Sequence, residues 1–75
     1  VKKISIIGQI AEIDREIAMR QRVYPEQVRT GKMRQAEADM LMERAYAIRA
    51  TLMFCREHEA DIRAYMVSRS KGGEA

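Results

Sequence analysis

The chain of 75 residues has no tryptophan and no asparagine, and only one phenylalanine, one proline and one cysteine. A lone cysteine cannot close an internal disulfide. It fits a reducing compartment. Without asparagine and with one proline, there is little material for turns. No apolar run approaches the roughly 18–20 residues of a membrane span; the stretch from Thr51 to Cys55 is among the longest. Gln9, Glu12 and Asp14 interrupt the N-terminal apolar segment too early for the apolar region of a signal peptide. The expectation is a cytoplasmic protein with no membrane partner.

Alanine, methionine, glutamate and arginine are abundant, and all favour helix. Ile6, Ile10, Ile13 and Ile17 recur at spacings of four, three and four, which puts them on one helical face. Ile7, Ala11 and Ala18 widen that face, and Tyr24 continues it. The pattern predicts a first helix over about 5–24, with Ser5 as a candidate N-cap. Pro25 ends or kinks it, because the residue before a proline is biased away from the α region. Pro25-Glu26-Gln27-Val28 can restart one helical turn with proline at its first position, and Gly31 is then a natural left-handed stop; 25–33 reads as an elbow. A second helix is expected over about 34–68. Its stripe is Ala38, Leu41, Ala45, Ile48, Leu52, Cys55, Ile62 and Met66, broken only by Glu59. Beyond Gly72-Gly73 the tail, 69–75, is expected to fray.

The fold class is therefore all-α: one small domain over 1–75, an antiparallel helical hairpin with a long second helix. At ~1.5 Å per residue the helices span about 30 and 50 Å. The first covers the second only to around Cys55, which leaves Ile62, Tyr65 and Met66 bare. Either the second helix breaks near Arg56–Glu59 into a third, or another subunit covers its end. Chains this short struggle to bury a sufficient core alone. A homo-oligomer that completes a bundle is the expectation. Its seam would draw on Ile10, Ile13, Ile17, Leu41, Ile48, Leu52, Ile62 and Met66, with Tyr46 and Tyr65 at the edges.

The charge is local. Between Met19 and Arg34 stand Arg20, Arg22, Arg29, Lys32 and Arg34 against Glu26 alone, whereas the rest holds nine basic and ten acidic side chains. Arginine and lysine supply charge and forked donors for phosphate, and Tyr24 supplies a ring that can stack on a base. Arg20, Arg22, Tyr24, Arg29, Lys32 and Arg34 are the candidate anion-binding set. Helix-turn-helix geometry does not fit, since the elbow and both helices are too long.

Other chemistry is thin. Cys55, His58 and Glu59 share metal-ligand spacing on one helix face. Cys55, however, continues the apolar stripe, and His58 sits between two glutamates, so no metal and no cofactor is expected. One histidine and an inward cysteine make no nucleophile–base pair. Gly31-Lys32 lacks the rest of a phosphate loop. The chain reads as a non-enzyme.

The run Arg15-Glu16-Ile17-Ala18-Met19-Arg20-Gln21-Arg22-Val23-Tyr24-Pro25, with Val28, Gly31-Lys32-Met33 and Gln35-Ala36-Glu37-Ala38-Asp39, resembles a recurrent family of small uncharacterised phage and prophage proteins. The resemblance covers about Ile10 to Leu52. It implies a two-helix hairpin of phage origin, working in the host cytoplasm, and carries no activity with it. The family-like Ser or Thr before the second helix, its N-cap, is replaced here by Arg34. The functional expectation is a phage-type binding protein whose basic elbow engages nucleic acid or a nucleotide. The alternatives are an inhibitor or adaptor that binds a host protein through a helix face, and a purely structural oligomeric module.

Overall fold

A computed structural model describes the backbone of residues 2–74 and the side chains of residues 2–70. Among the described residues there are three helices and no strand: α1 (Ile6–Arg29), α2 (Gln35–Glu57) and α3 (Glu59–Glu74). Ser5 caps α1, its hydroxyl accepting a hydrogen bond from the Gly8 amide at 3.2 Å.

The helix does not stop at Tyr24. It passes through Pro25 and ends four residues later. Proline there withholds the amide that would bond the Gln21 carbonyl. Both residues are exposed, so water can satisfy that oxygen. Past the proline, Gln27 and Val28 are half-buried and tie the extra turn to the hairpin.

The elbow is consequently shorter than 25–33, and only Thr30 to Arg34 lie between the helices. Gly31 adopts φ 78°. The Lys32 amide bonds the Gln27 carbonyl at 2.9 Å, and the Gly31 amide bonds that of Val28 at 3.1 Å. This paired closure satisfies helix-end carbonyls and requires a left-handed residue, which suits glycine. Arg34 does occupy the N-cap of α2 and makes no side-chain capping bond.

α1 and α2 pack as an antiparallel hairpin on a narrow seam. Ile10 and Ile17 are buried on α1, and Ala38 and Ala45 on α2. Both pairs are seven residues apart, so each recurs on one face after two turns. Small alanines admit the isoleucines and bring the helix axes close. Leu41, Met42, Leu52 and Met53 flank the seam half-buried. Here the expected stripe needs correcting. Ile48 is exposed, and the seam steps instead to Arg49. The Arg49 Nε donates to the Asp14 carboxylate at 2.6 Å, across the two helices.

The long second helix is broken at His58, where φ is −105° and ψ 16°. The amides of His58 and Ile62 still bond the carbonyls of Phe54 and His58, so helical phase carries across the break. Glu59 and Asp61 in the first turn of α3 complement its dipole. The helix continues through Gly72 and Gly73 to Glu74, past the end expected near Ser68; position 75 lies outside the described residues.

Among the described residues, α3 touches α2 at the junction and does not reach α1. Helical rise from Gln35 to Glu74 amounts to about 60 Å. The molecule is 61 Å long and 23 by 22 Å across. α3 therefore projects nearly in line with α2. Its radius of gyration is 18.0 Å, against about 11 Å for a compact chain of this length.

Candidate interaction surface

The six candidate anion-binding residues do not converge. Arg20 is a strut of the hairpin. Its Nε donates to Glu16 at 2.9 Å and its Nη1 to the Leu41 carbonyl of α2 at 2.8 Å. Its guanidinium carbon lies 5.8 Å from the centre of the Tyr24 ring. Tyr24 is half-buried and lines a groove of about 280 Å³ with Pro25, Val28, Ala38 and Met42. The expectation of a free Arg20 and a free Tyr24 face is therefore corrected: both serve the packing of α1 on α2.

Arg29 is likewise engaged, since its guanidinium grips Glu26 one turn back, with Nε at 3.0 Å. The Arg29 hydrogen bond holds the Glu26 carboxyl below its ordinary value, with burial opposing weakly. Glu12 is lowered in the same way, by the Arg15 hydrogen bond first and its charge second. Among the described residues, Arg22, Lys32 and Arg34 are exposed and have no ion-pair partner. Arg22 sits about 140° round the helix from Ile17, hence away from α2. Lys32 and Arg34 flank the turn and line a shallow hollow with Gly31, Met33, Glu37 and Met40.

The seam residues divide differently. Ile10 and Ile17 are consumed inside the hairpin, so their expected place in a contact between copies is corrected. Ile13, Leu41 and Leu52 are half-buried. Ile48, Ile62 and Met66 are 52%, 40% and 56% exposed. Ile13, Ile48 and Leu52 line an open groove of about 720 Å³ with Ile4, Glu12 and Glu16. On α3, Tyr65 and Val67 add to the bare apolar area.

Ile4, Phe54 and Val67 are also exposed. Period alone did not single them out, because each sits off the main stripe. Only their size and greasiness at positions with no intrachain cover mark them. Tyr46 is exposed, and its hydroxyl accepts from Gln21 Nε2 at 2.9 Å across the hairpin.

Around the break the polar groups are occupied locally. The His58 ring packs on Phe54, centroids 4.5 Å apart, with its Nδ1 3.9 Å from Asp61. Glu59 pairs with Arg63 at 3.0 Å. Cys55 is a free thiol, half-buried. No cluster of three metal-binding side chains forms among the described residues.

No helix in the described part is long and apolar enough to cross a membrane. No family model matches the chain, and no curated protein or solved structure matches it.

Proposed function

We propose that this chain is a helical interaction module, which packs its uncovered apolar face against another helical surface. One observation carries the reading. The accessible surface is 6343 Å² for 8.7 kDa, about a third more than the roughly 4,700 Å² of a compact monomer of that mass. Much of the excess is large side chains: Ile48, Phe54, Ile62, Tyr65, Met66 and Val67 all stand at 40% exposure or more. Ile48, Ile62 and Met66 share one helical face; exposed apolar surface of this kind marks binding faces, and an amphipathic helix laid along a groove is a recurring way to cover it.

The test uses the chain as bait for proteins of its source cell, beside an Ile48→Asp bait. The wild-type chain retains a partner in high salt and the variant does not, because an apolar contact survives screening. Equal retention by both baits removes the reading.

A second reading keeps the basic turn. Lys32 and Arg34 lie beside the uncapped N-terminus of α2, whose free amides favour negative charge. With Arg22, they are cations without an acidic partner among the described residues. In this reading the module carries a nucleic-acid or nucleotide contact at the turn. A gel-shift titration with single- and double-stranded oligonucleotides tests it. Binding weakens steeply with added salt and disappears in the triple change Arg22→Gln, Lys32→Gln, Arg34→Gln. Binding that survives that change excludes the turn. The resemblance to phage proteins would place either partner in a bacterial host.

A further inference from the structure

The uncovered face has an internal symmetry. Ile62 and Leu52 stand five residues either side of Glu57, and Met66 and Ile48 nine either side. Cys55 and Glu59 stand two either side. All six positions lie on one stripe, apolar except at Glu59, since the hydrogen bonds of His58 and Ile62 carry the helical phase across the break. α3 also runs nearly in line with α2, as the 61 Å length requires. A straight helix whose apolar residues are arranged symmetrically about one point is self-complementary when reversed.

We infer that a second copy of this chain covers this face, paired antiparallel across a two-fold axis beside Glu57. The inference rests on reading the chain as a helix-face interaction module. Each α3 lies along the open end of the other hairpin. Ile62 of one copy meets Leu52 of the other, and Met66 meets Ile48. Glu57 is about 200° round the helix from Cys55, so the two glutamates on the axis point away from each other.

Charge follows the same register. The Asp14–Arg49 pair fixes how α1 lies against α2. Counting from it, Arg63 of one copy comes level with Glu12 of the other, and Arg69 comes within about one turn of Glu16. Glu12 and Glu16 line the groove that α3 would enter. Arg69 has no carboxylate partner among the described residues. Glu12 and Glu16 are already paired with Arg15 and Arg20, and Arg63 with Glu59, so the unpaired charge brought to the groove wall is that of Arg69.

The areas agree. Each chain exposes about 1,600 Å² beyond a compact monomer of its mass, and a stable complex of ordinary size covers about 800 Å² on each partner. The pairing hides Ile62, Met66 and the groove together, and needs no change in the hairpin.

Sedimentation equilibrium and cysteine cross-linking test the inference together. The wild-type chain sediments at twice its chain mass. Ile62→Asp and Met66→Asp each weaken the pairing about tenfold or more, since each buries a carboxylate in an apolar contact. Both residues are exposed in the single chain, and far-ultraviolet circular dichroism verifies that the hairpin stays helical. Glu59→Cys places a new thiol opposite Cys55 of the other copy, and mild oxidation gives a covalent two-chain product. Wild-type Cys55, offset from its own counterpart by about 6 Å along the axis, gives none.

A single-chain mass for the wild type overturns the inference. So does a two-chain mass unchanged by both aspartates, or oxidation of the Glu59→Cys chain to single-chain products only. In each case the module reading stands or falls separately, on whether the Ile48→Asp bait loses its retained protein.

Discussion

The hairpin and the projecting helix are built from similar residues and owe their order to different things. In α1 and α2, Ile10, Ile17, Ala38 and Ala45 close a seam. Arg20 and Arg49 then lock it across helices, the first to a backbone carbonyl and the second to Asp14. In α3 every described side chain from Ala60 to Ser70 is exposed. Among its described side chains the one ion pair, Glu59 with Arg63, is local, and Asp61 lies 3.9 Å from the His58 Nδ1. An isolated helix of that length is marginal in water. Composition is therefore a poor guide to which part of this molecule is self-sufficient. The difference lies in whether an apolar stripe finds a small-residue partner on its own chain.

The contrast can be broken most directly by equal truncations in the two regions. Ile17→Ala costs about 2–4 kcal/mol in urea unfolding of dilute protein, through lost burial and a cavity. Val67→Ala shifts stability by less than about 0.5 kcal/mol, as exposed substitutions do. Comparable losses would mean that α3 is held by something other than its junction. Ala45→Leu comes next. The position is 0% exposed, and a larger side chain there pushes the axes apart at about 1–3 kcal/mol.

Arg20→Met sharpens the picture of the cross-helix lock. It strips the Leu41 carbonyl of a donor and Glu16 of its pair, costing about 1 kcal/mol, read as a shift in unfolding midpoint. Acid titration gives the smallest effect. Glu12 and Glu26 are held below the ordinary glutamate value of 4.5. Their contribution is complete above that value and fades as pH falls through the lowered folded values. Glu26→Gln flattens that part of the acid unfolding curve by lowering the neutral midpoint slightly, and leaves the midpoint at the acid end unchanged.

Hairpin topology was readable because the isoleucine spacing and Gly31 are local signals with one physical meaning each. Pro25 misled because its bias acts on one backbone residue, whereas burial of Val28 and Gln27 acts on a whole turn and wins. Which of 48 and 49 meets α1 was illegible, because a stripe of every third or fourth residue does not decide it. The Asp14 carboxylate decides that, and it lies 35 positions away in sequence. The basic cluster was legible as charge and illegible as a site. Sequence shows that Arg20 and Arg29 are cations, but not that Glu16, Leu41 and Glu26 hold them.

The straightness of α2 and α3 has a consequence for reach. If two copies meet tail to tail beside Glu57, their cationic turns stand at opposite tips of a slender rod, about 70 Å apart. Such a rod cannot pinch one small guest between its tips. It can only tether two distant anchor points, or two stretches of one long polyanion, at a set separation.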